Sequence, residues 1–140
     1  MAERRTAQES FWAGDFGDAY IERNDSPQLL AHKTALFARM LRGAPGIASV
    51  CALGCNIGLN LQAIHNLQPS IDLKGIEINK KAAAQAAARG VAEISHGSIL
   101  EDQSALGAVD LAFTMGVLIH IAPNDLDAVY ENLDRLSRRY

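Results

Sequence analysis

A short apolar run, Ser49 to Leu53, enters a loop with glycines at 54 and 58. It leaves through Leu59 to Leu67, whose apolar residues recur at helical spacing. A run of Val, Cys and Leu of that length reads as a strand buried on both faces. Gly54 lets the chain turn with positive φ and leaves room for a ligand against the backbone. The free N–H groups where the helix begins suit a polar or anionic group. Strand, glycine loop and helix, in that order, open a βα nucleotide-binding unit. Two glycines alone also mark an ordinary turn, so the next unit decides. Ile71 to Ile78 reads as a second strand carrying Glu77 near its end, at an offset of 77 − 54 = 23 residues. An acidic side chain roughly 20 residues on meets ribose hydroxyls in this architecture. A carboxylate accepts from both hydroxyls.

A dinucleotide fingerprint places glycine at 54, 56 and 59, where this chain has Gly54, Asn56 and Leu59. Glycine-dense loops bring backbone up to a pyrophosphate. Their absence points to an adenosine-containing ligand without a diphosphate and disfavours a dinucleotide dehydrogenase.

With 140 residues and 49% hydrophobic content, the chain suits one domain with a real core. A net charge of −3 leaves no basic footprint for nucleic acid. No apolar run approaches the roughly 18 residues of a membrane span. The first ten residues lack an apolar signal core, so the expected location is cytoplasmic. Cys51 and Cys55 have no His or Cys cluster beside them. A metal site is therefore not expected, and both read as reduced, partly buried thiols.

Residues 1–10 are polar and are expected to be loose at the start. Phe11 to Asn24 carries Phe11, Trp12, Phe16 and Tyr20, an aromatic anchor for a small helix or a cap over a ligand. Ser26-Pro27 starts a helix that Gly43 closes. Leu29, Leu30, Lys33, Leu36, Phe37, Met40 and Leu41 fall at mostly helical spacing along it, and His32 is given no role. Asn79 caps a second helix, Lys80 to Arg89, ended by Gly90. Val91 to His96 and Val109 to Thr114 read as the third and fourth strands. Pro123 starts a last helix, with Leu126, Val129, Tyr130, Leu133 and Leu136 along one stripe.

ALGCNIGLN followed by GIEIN resembles the first two motifs of the Rossmann-like S-adenosylmethionine-dependent methyltransferases. FWAGDFGDAYIERN, HGSIL and DLAFTMGVLIHI extend the likeness to the methylases associated with pseudaminic acid biosynthesis. The resemblance implies an α/β fold: a mostly parallel sheet in the order 3-2-1-4, with helices on both faces. It also implies a division into a cap, residues 1–25, and a cofactor-binding domain, residues 26–140. Cofactor contacts are then expected from Gly54, Cys55, Asn56 and Gly58 in the loop, and from Glu77 and Ile78 after the second strand. The third strand would add Gly97, Ser98 and Ile99, the fourth Thr114, Met115 and Gly116, and the cap Tyr20 and Arg23. Ser98 stands where the family often carries an acid for the adenine amine, or else caps a plain turn. His120 is either a base for the acceptor or a hydrogen-bonded loop residue.

Two departures from the family bear on function. Ala52 stands where the superfamily has an Asp or Glu that holds the methionine ammonium. The chain also stops where the family's next strand begins, so it reads as C-terminally truncated. A bare fourth-strand edge would then be covered by a homodimer or by another chain. Two functions are expected. One is methyl transfer from S-adenosylmethionine to an oxygen or nitrogen of a small, sugar-derived acceptor, leaving S-adenosylhomocysteine. The other is a non-catalytic module or partner subunit that binds either compound.

Overall fold

The computed structural model describes residues 6–140. Four parallel strands, β1 (Ser49–Leu53), β2 (Asp72–Glu77), β3 (Glu93–His96) and β4 (Leu111–Phe113), form one sheet in the order β3-β2-β1-β4. β1 lies inside the sheet, with Val50 paired to Leu73 on one side and Leu111 on the other. Its side chains alternate between two cores. Val50 and Ala52 join Phe37, Leu61 and Ile64, whereas Cys51 and Leu53 join Val129 and Leu136. Burial on both faces is why the run is apolar throughout rather than alternating.

Three helices supply the first core: α3 (Pro27–Leu41), α4 (Leu59–Leu67) and α5 (Lys80–Ala88). α6 (Leu126–Leu136) supplies the second, entered through a 3₁₀ turn at Pro123–Asp125. The caps are those the sequence implies. Ser26 Oγ accepts from Leu29 N–H at 3.1 Å, with Pro27 in the first turn, and Asn79 Oδ1 accepts from Ala82 N–H at 2.9 Å. The sheet order places the crevice at the carboxyl ends of β1 and its neighbours, where ligands of such sheets lie.

Three expectations are corrected. Residues 7–10 are not loose, because α1 (Ala7–Ala13) begins there. Thr6 and Glu9 close a reciprocal capping box, Thr6 N–H to Glu9 Oε2 at 2.8 Å and Glu9 N–H to Thr6 Oγ1 at 3.1 Å. Residues 1–5 lie outside the described residues. After Gly14, α2 (Asp15–Arg23) continues as a separate helix. The outer strands are shorter than expected, with β3 starting at Glu93 and β4 spanning only Leu111–Phe113.

The edge of β4 is not bare. Residues 137–140 run beside it: Arg138 N–H donates to Val109 O at 2.8 Å, Tyr140 N–H to Asp110 O at 3.0 Å, and Ala112 N–H to Tyr140 O at 3.0 Å. These backbone groups are thereby paired within the chain.

Candidate functional site

At the carboxyl ends of the strands, roofed by α1 and α2, lies a cavity of about 310 Å³. That is within the roughly 300–1,000 Å³ of small-molecule sites. Its floor is the loop after β1, where Gly54 (φ 80°), Asn56 (φ 49°) and Gly58 (φ 82°) are left-handed. Asn tolerates that region better than other side-chain-bearing residues. A Cβ on Gly54 would stand 2.7 Å from Val117 Cγ2, so the close approach of the loop after β4 also requires glycine there. Four loop amides are already engaged. Gly54 and Cys55 donate to Ile76 O, Gly58 to Cys55 O, and Asn56 to the Glu77 carboxylate. A diphosphate would compete for those donors, in line with the missing dinucleotide glycines.

Glu77, at the end of β2, is 8% exposed and lines the cavity. Its Oε2 accepts from Asn56 N–H at 2.7 Å and its Oε1 from Asn79 N–H at 2.8 Å. One amide holds each oxygen, and each oxygen keeps further acceptor capacity. Burial raises its pKa above the ordinary 4.5, against the lowering pull of those backbone hydrogen bonds. The raised value sets the sign. In the free protein, the contribution present below about pH 4.5 is lost as pH rises through the folded value, because ionisation in this site is penalised. A diol ligand donates to the ionised carboxylate, so its affinity should climb with pH, starting above 4.5. Calorimetric titration between about pH 4.5 and 7 checks this. Glu77→Gln should flatten the profile, and a flat wild-type profile would contradict it.

Of the other residues singled out from the sequence, Tyr20, Gly54, Cys55, Asn56, Ile78, Gly97, Ile99, Met115, Gly116 and His120 all line this cavity. The His120 ring lies 4.4 Å from that of Trp12. Four do not line it. Gly58 faces α5, where a Cβ would meet Ala86 Cβ at 3.2 Å, so its work is helix entry and close packing. Ser98 is buried; its hydroxyl donates to Glu9 Oε1 and accepts from Leu100 N–H at 3.0 Å. The Thr114 hydroxyl is buried with no hydrogen-bond partner among the described residues. Arg23 is exposed, its guanidinium 5.5 Å from the centre of the Phe16 ring. That cation–π contact holds it on the outer side of the aromatic cluster.

Glu9, Lys33 and Asn79 are cavity residues to which sequence reasoning assigned no site role. Glu9 belongs to a T-x-x-E signature that the chain displays openly at Thr6 to Glu9. Lys33 interrupts the otherwise apolar stripe of α3, and burial lowers its pKa. Its ammonium donates to Asn60 Oδ1, in the first turn of α4, at 2.7 Å. Asn79 does more than cap α5, since its Nδ2 donates to Trp12 O at 3.1 Å and to Asp18 Oδ1 at 2.9 Å. With the Lys81–Asp18 ion pair, that fastens the roof to the end of β2.

Both cysteines are buried free thiols held in the protonated form at neutral pH. Burial pushes Cys51 up to about 11 and Cys55 further still. Ala52 is 2% exposed, sits in the apolar cluster under α3 and α4, and does not line the cavity.

No protein-family model and no curated protein matches the chain. Solved structures do. A plantazolicin methyltransferase, BpumL, in complex with SAH superposes at a TM-score of 0.69 with 22% identity, over 94% of this chain and 53% of its own. Magnesium protoporphyrin IX methyltransferase (ChlM) from Synechocystis PCC 6803 with bound SAH gives 0.72 and 16%, over 93% and 66%. PKMT2 from Rickettsia typhi in complex with AdoHcy gives 0.60 and 23%, over 66% and 19%. The chain thus spans about half the length of BpumL. The likeness is one of architecture: an α/β, Rossmann-like fold with its parallel sheet in the order 3-2-1-4.

Proposed function

We propose that the cavity binds S-adenosylmethionine and its product S-adenosylhomocysteine, and that the chain forms the cofactor-binding part of a methyltransferase. The acceptor is an oxygen or nitrogen of a small, sugar-derived molecule, as the likeness to pseudaminic-acid-associated methylases implies. The carrying observation is Glu77, a buried carboxylate at the cavity end of β2 with each oxygen aimed by a backbone amide. That arrangement fits a cis-diol. Ile78 and Ile99 offer apolar faces for a base beside it. BpumL and ChlM, two structurally similar methyltransferases, bind SAH, and PKMT2 binds AdoHcy, another name for the same compound, which supports the choice of ligand.

When bound, the cofactor supplies an electrophilic methyl group on a sulfonium. The chain's residues then have separable tasks. Glu77 would hold the ribose, and Met115 and Gly116, after β4, would border the reacting end. Trp12 and α1 exclude water from above. His120, against Trp12, is placed to take a proton from an acceptor hydroxyl or amine. The demand on each is positioning, which converts a bimolecular encounter into an aligned one.

The amino-acid end of the ligand would be held on the side of the cavity that α3 lines. Ala52 offers no acceptor for an ammonium, whereas Lys33 offers a cation for the carboxylate. Lys33→Met should therefore weaken S-adenosylhomocysteine by about 1.5–3 kcal/mol and leave adenosine unchanged. Equal losses for both ligands in calorimetry would assign Lys33 to structure alone. A second reading is a domain that binds the cofactor without transferring methyl, in line with Ala52 standing where the resembled family carries an acid.

Two measurements test the proposal. Titration with S-adenosylhomocysteine and with NAD should give heat for the first only. Label from a methyl-labelled cofactor should appear in a sugar-derived acceptor, and binding without any transfer would select the second reading.

A further inference from the structure

Glu9 sits at N3 of α1, where a capping-box glutamate usually lies on the surface. Here it is 9% exposed and lines the cavity. Only one of its oxygens serves the cap, Oε2, which accepts from Thr6 N–H at 2.8 Å. The other, Oε1, accepts from the Ser98 hydroxyl. Ser98 is itself held by Leu100 N–H at 3.0 Å and sits between Gly97 and Ile99, two cavity residues at the end of β3. The carboxylate is therefore fixed at both oxygens by neutral donors, and a carboxylate has about four acceptor positions. Glu9 thus brings spare acceptor capacity to the cavity that Gly97 and Ile99 also line. A buried acceptor with spare lone pairs favours a ligand that brings a donor.

We propose that Glu9 selects the base of the bound nucleoside by accepting a hydrogen bond from an exocyclic amine, so that a 6-aminopurine is preferred over a purine lacking that donor. This rests on the nucleoside reading of the cavity given above. It assigns base recognition to the roof helix, with Ser98 as the positioning residue that aims the carboxylate. Glu77 cannot serve the same donor, since it stands at the diol.

The test compares S-adenosylhomocysteine with its analogue in which hydrogen replaces the 6-amino group, by calorimetry on the full chain. Wild type should prefer the amine roughly tenfold to a hundredfold, the worth of a hydrogen bond to a charged group. Glu9→Gln keeps a residue that serves in a capping box and should bring the preference within about threefold. Ser98→Ala, which leaves the charge but frees its orientation, should lower the preference to an intermediate value. A wild type that binds both ligands equally overturns the proposal. So does Glu9→Gln that loses affinity for both ligands with the ratio intact, which would make Glu9 a cap and nothing more. If wild type binds neither ligand, the nucleoside reading itself fails; if it binds both equally well, that reading survives and only the role of Glu9 falls.

Discussion

Glu77→Ala is expected to lower stability and ligand affinity together. Truncation leaves the amides of Asn56 and Asn79 without their acceptor at a buried site. Each orphaned donor costs about 1–3 kcal/mol, so a loss of about 2–4 kcal/mol is expected after partial relaxation. Thermal unfolding should fall by roughly 8–15 °C. The glycine loop, no longer tied to β2, loses its shape, and S-adenosylhomocysteine should weaken by about 1.5–3 kcal/mol beyond the stability effect. Glu77→Gln separates the two roles. Its single oxygen still satisfies one amide where alanine satisfies neither, so folding suffers less than in Glu77→Ala, while the charge that a diol would meet is gone. Unchanged affinity in either variant would remove Glu77 from the site.

Gly17→Ala should detach the roof. Alanine within a helix ordinarily gains about 1 kcal/mol over glycine. Here the added Cβ would stand 1.8 Å from the Trp12 carbonyl oxygen and 2.8 Å from Asn79 Nδ2. Both neighbours belong to the fastening, and a backbone carbonyl cannot swing aside as a side-chain end does. The overpacking cost, about 1–3 kcal/mol or more, opposes and exceeds the helix gain. α1 and α2 should then lift from β2, breaking the contacts of Asn79 with Trp12 and of Glu9 with Ser98. Trp12 is the chain's single tryptophan, so its fluorescence reports the roof directly. Emission should shift to the red and S-adenosylhomocysteine should weaken at least about tenfold, while the sheet stays folded. Unchanged emission and affinity would show that the roof tolerates the methyl and the close packing is not limiting.

The parts legible in the sequence are those set by local chemistry. Gly54, the apolar run of β1 and the offset to Glu77 mark a crossover unit because turn geometry and strand burial act over a few residues. Ser26 and Asn79 announce helix starts for the same reason. What escaped depends on distant partners. Asn79 meets Trp12 from 67 positions away, and Ser98 meets Glu9 from 89. No periodicity carries that information. Lys33 was hidden by its own helix, since one cation in an apolar stripe looks like a snorkelling edge residue until α4 brings Asn60 to it. Arg23 also depends on a partner the sequence does not name: its guanidinium lies over the Phe16 ring, outside the cavity lining. The pairing of residues 137–140 with the β4 edge was equally invisible, because SRRY has no strand pattern and relies on backbone groups alone.

The most direct measurement is a crystal structure of the chain with S-adenosylhomocysteine. The ribose hydroxyls should lie about 2.5–3.0 Å from the Glu77 oxygens, with the base against Ile99 and the amino-acid carboxylate toward Lys33. A ligand seated elsewhere, or a groove filled by the chain's own side chains under saturating ligand, would contradict the assignment.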